Sequence, residues 1–256
     1  CGGMLAAERM AQIMEILNEQ RSVKVEELAQ QFGVSEMTIR RDLEKCRRAG
    51  VINRCHGGAI RKEENTSEVD YADKRSLHLE EKRKLATFCA TLVQPGDSVY
   101  LDAGTTVFEI ARLIRRIQGV TAVTNDLEIA LLLSRSDVEV HVLGGAVQKS
   151  TVSMLGEIST RAVEQMSPSI AFVGAASIND NLEVMTPTME KAFLKRTVAQ
   201  RANQCYLVVD ASKFHRQALY KINHLSEYSG VVTTKDFTAL EQHQMLEQGI
   251  QLMHIE

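Results

Sequence analysis

Two apolar stripes, each spaced for one face of a helix and separated by a single glycine, constrain the first quarter of this chain. The first stripe is Val25, Leu28, Ala29 and Phe32, and the second is Val34, Ile39, Leu43 and Cys46. Gly33 lies between them, where the residue just past a helix end often takes the positive φ that glycine tolerates. Ser35 can cap the next helix by accepting from the amide of Met37 or Thr38. The spacing therefore predicts two helices packed together across a tight turn.

The second helix presents a mostly basic face when its apolar residues point inward. A helix that enters the DNA major groove reads base edges with its first turns and holds phosphates with Arg and Lys. The predicted DNA-binding residues are Ser35, Glu36, Met37, Thr38, Arg40, Arg41 and Lys45, with Arg48 as a further phosphate contact. The alternative is that Arg40 and Arg41 only solvate a helix surface, which the adjacent tight turn disfavours.

A glycine-rich segment follows this basic helix. Residues 51–59 fit two short strands, a wing that would lay Arg54 and His56 on the sugar-phosphate backbone. Upstream, Met10, Ile13, Met14 and Leu17 predict a first amphipathic helix under the other two. We therefore predict a DNA-binding domain over residues 4–60, a polar linker over 61–78 and a larger domain over 79–256.

The residues of this first domain resemble the winged helix-turn-helix of DeoR-type bacterial transcription regulators. The resemblance is carried by Glu27-Leu28-Ala29, Val34-Ser35, Thr38-Ile39-Arg40-Arg41-Asp42-Leu43 and His56-Gly57-Gly58-Ala59. Cys46 departs from that family, which usually has Leu there, and the smaller side chain predicts slightly weaker packing. The resemblance implies double-stranded operator DNA as a partner.

Charge is distributed unevenly between the two predicted domains. Residues 4–62 hold 11 Lys and Arg against 8 Asp and Glu, a balance of +3, whereas the remainder carries −6 within a total of −3. Electrostatic attraction would therefore steer only the N-terminal part onto DNA. The 5 cysteines show neither a Cys-x-x-Cys pair nor a disulfide-scaffold spacing, so we expect free thiols and no metal. No apolar run reaches the length of a membrane span, and we expect a cytoplasmic protein without a membrane partner.

Beyond residue 79 the pattern alternates between β-rich and helical runs. Strands are predicted at 98–102, 120–124, 138–143, 170–174, 205–209, 230–233 and 251–254. Helices are predicted at 79–93, 105–117, 127–134, 159–166, 188–202 and 237–247. This alternation predicts an α/β domain with an open, largely parallel, Rossmann-like sheet, whose ligands bind at the carboxyl ends of the strands.

Polar and glycine residues collect at four of these predicted strand ends: Asp102-Ala103-Gly104-Thr105-Thr106, Thr124-Asn125, Gly144-Gly145 and Asp210-Ala211-Ser212-Lys213. Gly104 before two threonines at a helix start offers amides, hydroxyls and the positive end of the helix dipole to a phosphate. A simple helix cap is the alternative. Asp210 could accept from sugar hydroxyls and Lys213 could neutralise a phosphate, with a surface salt bridge as the alternative.

Residues 73–213 resemble the effector domain of the same regulators. Further matching residues are Glu81-Lys82, Leu155-Gly156, Thr186-Pro187, Glu190 with Lys195-Arg196, and Phe214. That domain is similar to ribose-5-phosphate isomerase and glucosamine-6-phosphate deaminase folds, which implies a phosphorylated sugar effector, lost catalysis and no cofactor. The implied effector-binding residues are Asp102, Gly104, Thr105, Thr106, Thr124, Asn125, Gly144, Gly145, Glu190, Lys195, Asp210 and Lys213. Ser169 and Glu183 depart from the family, which usually shows Asp and Gly there.

Three hypotheses compete at this stage. The first is a transcription regulator that represses a sugar-utilisation operon. It would act as a dimer or tetramer formed by the larger domain, because one small DNA-binding domain covers only a half-site of the operator. The second is an active sugar-phosphate isomerase or deaminase, for which Glu190, Asp210 and Lys213 could supply acid and base. The third is a protein-interaction module that uses the winged fold without DNA, which the Arg40-Arg41 face disfavours.

Overall fold

The structure is a computed structural model that describes residues 6–20, 22–48, 52–55, 57–61 and 71–255. The chain divides into an N-terminal unit of residues 1–64 and a C-terminal unit of residues 65–256. Each unit has its own hydrophobic core.

The N-terminal unit contains three helices and three short strands. They are α1 (Ala6–Gln20), β1 (Ser22–Lys24), α2 (Val25–Phe32), α3 (Glu36–Arg48), β2 (Ile52–Cys55) and β3 (Gly58–Arg61). The strands form an antiparallel sheet in the order β1-β3-β2, so the predicted two-stranded wing gains a third strand before α2. The predicted apolar stripes form the core: Ile13, Leu17, Val25, Leu28, Ile39, Leu43, Cys46 and Ile52 are buried.

The turn between α2 and α3 has the predicted geometry. Gly33 adopts the left-handed conformation with φ 62°, and the Val34 amide donates to the Ala29 carbonyl at 3.1 Å. Ser35 caps α3 through Oγ, which accepts from the Thr38 amide at 3.3 Å. A buried ion pair of 2.6 Å joins Arg9 of α1 to Asp42 of α3, so the first helix is tied to the second half of the turn-helix pair.

The C-terminal unit is built on a seven-stranded parallel sheet. Its strands are β4 (Ser98–Leu101), β5 (Thr121–Thr124), β6 (Glu139–Val142), β9 (Ile170–Val173), β12 (Gln204–Val209), β14 (Gly230–Thr233) and β15 (Leu252–Met253). Their order across the sheet is β15-β14-β12-β9-β4-β5-β6. The chain therefore adds strands on one side of β4 and then returns to build on its other side, which is the doubly wound arrangement that the alternation predicted.

Helices cover both faces of this sheet. They are α5 (Leu79–Thr91), α6 (Thr105–Ile114), α7 (Leu127–Leu133), α8 (Glu157–Glu164), α9 (Met189–Arg201) and α10 (Ala239–Glu247). One face packs mainly with α5, α6 and α7 in a core around Leu85, Ile110 and Phe172. The other packs with α8 and α9 around Tyr100, Leu194 and Leu207.

Five short strands were missing from the sequence prediction. They are β7 (Ala146–Gln148), β8 (Ser153–Leu155), β10 (Ser177–Ile178), β11 (Glu183–Thr186) and β13 (Tyr220–His224). β7 and β8 pair as a hairpin, while β10, β11 and β13 form a separate antiparallel sheet. These strands interrupt the regular alternation of strands and helices on which the sequence prediction was based.

Within the predicted linker of residues 61–78, the structure describes a helix. Tyr71–Ser76 form a helix, α4, within the C-terminal unit. Tyr71 is buried, its amide donates to the Ser150 carbonyl at 2.9 Å, and Arg75 lies 4.7 Å from the centre of the Phe108 ring. These long-range contacts hold a polar, aperiodic stretch in place, which local sequence does not reveal.

Candidate functional site

The outer face of α3 carries a row of exposed side chains one helical turn apart: Met37, Arg41 and Lys45. Met37 is 67% exposed although it is apolar. Arg40 lies beside this row and pairs with Glu36 at 3.1 Å, so these two predicted contacts are engaged with each other in the free protein. Residues at i, i+4 and i+8 lie along one face of a helix. Three exposed side chains on one face suit a helix that enters the DNA major groove.

The sheet beside α3 depends on a glycine. A Cβ at Gly58 would lie 2.1 Å from the Val23 carbonyl oxygen, so only glycine allows β3 to approach β1 this closely. The Val25 amide donates to the Gly57 carbonyl at 2.8 Å and joins the wing to the start of α2. Of the predicted wing contacts, Arg54 lies on β2, but its side chain and the whole of His56 lie outside the described residues.

A second cluster lies at the carboxyl edge of the parallel sheet, between β4 and β9. The chain reverses its direction of sheet building between these neighbours, which is where open α/β sheets leave a crevice for ligands. Asp102 follows β4, and its Oδ2 accepts from the Gly174 amide at 2.9 Å and from the Lys195 ammonium. Lys195 also donates to the Gly174 carbonyl at 2.9 Å. The structure thus brings together Asp102 and Lys195, two of the residues that the sequence analysis named as effector contacts.

The loop after β5 holds the loop after β4 through two side chains. Asn125 Oδ1 accepts from the Ala103 amide at 3.1 Å and from the Tyr100 hydroxyl at 3.1 Å. Thr124 donates to the Leu101 carbonyl at 2.7 Å. Thr124 and Asn125 are at most 1% exposed. These two predicted effector contacts therefore position the loop around the site through bonds to the chain itself.

Asp126 is a part of the site that the sequence prediction missed. Its Oδ1 caps α7 by accepting from the Glu128 and Ile129 amides, and its Oδ2 accepts from the Gly104 amide at 3.1 Å. Burial raises the pKa of Asp126 to about 7, against the lowering effect of these three amides. The carboxyl group thus occupies the Gly104 amide that was predicted to hold a phosphate.

The start of α6 nevertheless retains donors for an anion. The first intrahelical bond runs from the Phe108 amide to the Gly104 carbonyl at 2.9 Å. The amides of Thr105, Thr106 and Val107 precede it and are the groups that a helix N-terminus leaves to a cap or ligand. Thr105 is 8% exposed and Thr106 is half-buried, so the amides suited to an anion lie in this first turn and not at Gly104.

A third group follows β12. Asp210 Oδ1 accepts from the Ser212 amide at 2.9 Å and from the Ser212 hydroxyl. Burial alone would raise the pKa of Asp210, but Lys213 and the Ser212 bonds outweigh it and hold that pKa below its usual range. Because strands lie about 4.8 Å apart and β9 separates β12 from β4, Asp210 and Asp102 begin about 10 Å apart along one edge.

Lys82 of α5 joins this group without having been predicted as a contact. Its ammonium donates to the Lys74 carbonyl, and the residue is only 5% exposed. Burial and, to a smaller extent, the nearby Lys213 charge lower the pKa of Lys82 to about 8, while Asp210 and Glu109 oppose the shift. Its neighbour Glu81 accepts from the Thr234 hydroxyl at 2.6 Å, which anchors α5 at the end of β14.

The other three predicted effector contacts, Gly144, Gly145 and Glu190, lie on other elements of the C-terminal unit. Gly144 and Gly145 follow the edge strand β6, and a Cβ at Gly145 would lie 2.5 Å from the Leu155 carbonyl oxygen, so this glycine permits close packing of the β7–β8 hairpin. Glu190 is exposed in the first turn of α9, whereas Lys191 and Lys195 are buried on the inner face. Lys191 donates to the Thr151 hydroxyl at 3.3 Å. The described residues contain no group of three His, Cys, Asp or Glu side chains that could hold a metal.

This chain combines a winged helix-turn-helix with an open parallel sheet that carries a charged crevice. These two features define the class of DNA-binding proteins that carry a ligand-binding domain. Two family models match it: a DeoR-like helix-turn-helix domain over residues 9–65 and the DeoR C-terminal sensor domain over residues 77–235. The chain belongs to the DeoR family and is a DNA-binding transcriptional regulator. The predicted family and fold class are confirmed.

Similar proteins extend over nearly the whole chain. The lactose phosphotransferase system repressor of Streptococcus mutans is 33% identical over 236 residues, which are 90% of this chain and 92% of the relative. The regulator GlpR of Haloferax volcanii is 30% identical over 96% of this chain and 97% of its own length. Among solved structures, ribose 5-phosphate isomerase A of Methanocaldococcus jannaschii is 21% identical with a TM-score of 0.38, covering 52% of this chain and 53% of that one. No helix in the described part of the chain combines the length and apolar character needed to cross a bilayer.

Proposed function

We propose that this regulator is a repressor of a sugar-utilisation operon whose operator affinity is set by a phosphorylated sugar. The observation that carries the proposal is the juxtaposition, at the switch between β4 and β9, of the first-turn amides of α6 with the buried Asp102–Lys195 pair. Amides at a helix start suit a phosphate, and buried carboxylates suit sugar hydroxyls. A relative named for repression of the lactose phosphotransferase system supports the choice of sugar phosphates.

The DNA side of the proposal rests on Arg41 and Lys45 in the exposed row of α3. Arg41→Ala should weaken binding to the operator duplex about 5- to 150-fold, the loss of one bidentate base contact worth about 1 to 3 kcal/mol. Lys45→Ala should weaken all duplexes alike and lower the salt slope by about one. Arg54→Ala in the wing should behave as Lys45→Ala does.

Fluorescence anisotropy with a duplex from the upstream region and a scrambled duplex would measure both effects. Arg47→Ala is the matched control, because Arg47 is an exposed arginine of the same helix already paired with Glu44 at 2.7 Å. Operator affinity that is equal for Arg41→Ala and this control, at matched salt and normal melting, would contradict the placement of α3 in the major groove.

The effector side rests on the first turn of α6. Thermal shift and calorimetry with fructose 1-phosphate, glucose 6-phosphate, ribose 5-phosphate and glucosamine 6-phosphate would show which sugar phosphate binds. Thr105→Val, which removes a hydroxyl of this turn and keeps its amides, should weaken that response and retain DNA binding, whereas Thr87→Val, at an exposed threonine of α5, should change neither. Equal binding of the unphosphorylated sugar would argue against a phosphate site.

We further propose that the crevice binds its sugar phosphate without converting it. Of the three predicted acids and bases, Asp210 is held by Ser212 and by the charge of the nearby Lys213, and Glu190 is exposed, which disfavours proton transfer by these residues. Incubation of the full chain with ribose 5-phosphate and with glucosamine 6-phosphate tests the alternative. Isomerisation or ammonia release above a heat-treated control would favour the enzyme hypothesis.

We also propose a cytoplasmic homo-oligomer assembled through the C-terminal unit, since chromosomal operators with two half-sites need two heads. β6 is an edge strand of the described sheet, and Val142 on it and Val147 beside it are 47% and 50% exposed. An open apolar edge is a template for pairing with a second copy. Light scattering should report a dimer or tetramer that Val142→Lys dissociates, and an unchanged mass for this variant would place the interface elsewhere.

A further inference from the structure

The Tyr71 hydroxyl is a buried polar group without a hydrogen-bond partner among the described residues. Tyr71 is only 7% exposed. Burial raises its pKa well above the usual range, and the charges of Asp126, Glu128 and Glu109 raise it further, against a smaller opposing effect of Arg75. The hydroxyl is therefore within electrostatic range of Asp126, which bonds to the Gly104 amide just before α6. A buried hydroxyl without a partner needs an explanation, and a missing ligand is one.

Helix α4, which Tyr71 begins, is anchored at three points on elements that carry the candidate effector site. The Tyr71 amide donates to the Ser150 carbonyl in the β7–β8 hairpin, next to the Thr151 hydroxyl that Lys191 contacts. Arg75 stacks on Phe108 in α6. Lys82, beside Asp210 and Lys213, donates to the last-turn carbonyl of Lys74.

The sequence position of α4 gives these anchors a second meaning. α4 follows residues 62–70, the stretch that joins the two units along the chain. A ligand that bonds to Tyr71 therefore holds the part of the C-terminal unit that is nearest in sequence to the DNA-binding unit. A ligand shifts the equilibrium between two states of a protein only through contacts that differ between those states. Contacts that form only when α4 is ordered would therefore couple ligand binding to the DNA-binding unit.

We propose that α4 is one wall of the effector site, with the Tyr71 hydroxyl as a hydrogen-bond partner of the bound effector, so that occupancy of the site tightens α4 and restrains the connection to the DNA-binding unit. This inference rests on the proposed sugar-phosphate function. The Tyr71 phenol carries no charge, and the proposed function already assigns the phosphate to the first-turn amides of α6. Tyr71 thus contacts an uncharged sugar hydroxyl, which can donate to a carboxylate and accept from the phenol.

The variant Tyr71→Phe tests the contact because it removes only the oxygen and keeps the buried ring. In the free protein it should melt no lower than the wild type, since the lost hydroxyl has no partner to lose. Its affinity for the best-binding sugar phosphate of the four named above should fall about two- to tenfold, the effect of one neutral hydrogen bond. Tyr206→Phe is the matched control, because Tyr206 is also 7% exposed but packs on Phe172 within the sheet.

Hydrogen exchange of the full chain tests the coupling. Saturating sugar phosphate should slow exchange of the amides of residues 71–76 in the wild type and in Tyr206→Phe, and slow it less in Tyr71→Phe. Equal affinity for wild type and Tyr71→Phe, or α4 exchange that ignores the ligand, would overturn the inference while leaving the proposed function intact. If none of the four sugar phosphates binds the wild type, the proposed function fails, and this inference fails with it.

Discussion

Replacing Lys195 by methionine should destabilise the C-terminal unit far more than removing an exposed lysine does. The side chains of Lys195 and Asp102 are 10% and 2% exposed, and the ammonium is the charge that compensates this carboxylate. Loss of one partner of a buried ion pair leaves an uncompensated charge and costs about 3 to 5 kcal/mol. A unit of this size loses about 2 to 4 °C in Tm per kcal/mol, so the expected fall is roughly 6 to 20 °C.

Lys221→Met provides the control because it removes the same charge from an exposed pair. Lys221 is 48% exposed and pairs with Glu183 at 2.8 Å, and such surface pairs are worth about 0 to 1 kcal/mol. Calorimetry of the full chain should therefore separate the two variants clearly. Adding Asp102→Asn to Lys195→Met should restore part of the loss, since it removes the stranded charge. Equal Tm for Lys195→Met and Lys221→Met would refute the argument that this pair is buried and mutually dependent.

Gly58→Ala should destabilise the N-terminal unit strongly, because the added Cβ would lie 2.1 Å from the Val23 carbonyl oxygen. Gly33→Ala should cost only about 1 to 2 kcal/mol, because its backbone is left-handed. Urea titrations monitored by helix content would compare the two variants. The folded pKa of Asp126, about 7, lies above its ordinary value, so the folded state binds the extra proton between about pH 4 and 7. Wild-type stability relative to Asp126→Asn should therefore fall as pH rises through this window, and a flat difference would contradict the raised pKa. The folded pKa of Lys82, about 8, lies below its ordinary value, so wild-type stability relative to Lys82→Met should rise between about pH 8 and 10.5, as paired urea titrations would show.

The sequence predicted those parts of the fold that repeat a local pattern. Helices α2 and α3 were predicted from apolar stripes with a period of 3.6 residues, and the turn between them was predicted from Gly33 and Ser35. All seven strands of the parallel sheet were predicted. The inner strands β14, β12, β9, β4 and β5 carry apolar runs that are buried on both faces, as parallel strands require. The edge strands β6 and β15 are more exposed and were predicted from the strand–helix alternation. The antiparallel strands β10, β11 and β13 and the hairpin were missed, since their pairing partners are distant or their runs are short.

Prediction of the site stopped where long-range contacts begin. Residues after strand ends were found, but the sequence could not show that Asp126 would occupy the Gly104 amide, 22 residues away. Lys82 was hidden for a similar reason, because its neighbours Asp210 and Lys213 lie more than a hundred residues downstream. The segment of α4 was predicted to be linker because most of its six residues are polar. Its contacts with Ser150 and Phe108 are tertiary contacts, which the local sequence does not reveal.

The central position of β4 has a consequence for how the chain is made. β4 pairs with β5 on one side and with β9 on the other, and β9 begins 69 residues after β4 ends at Leu101. At about 5 to 20 residues per second, synthesis leaves one edge of β4 without its neighbour for roughly 3 to 14 s. During that interval the growing polypeptide exposes an open, apolar strand edge to the cell. This edge belongs to the part of the sheet that the finished protein buries most completely.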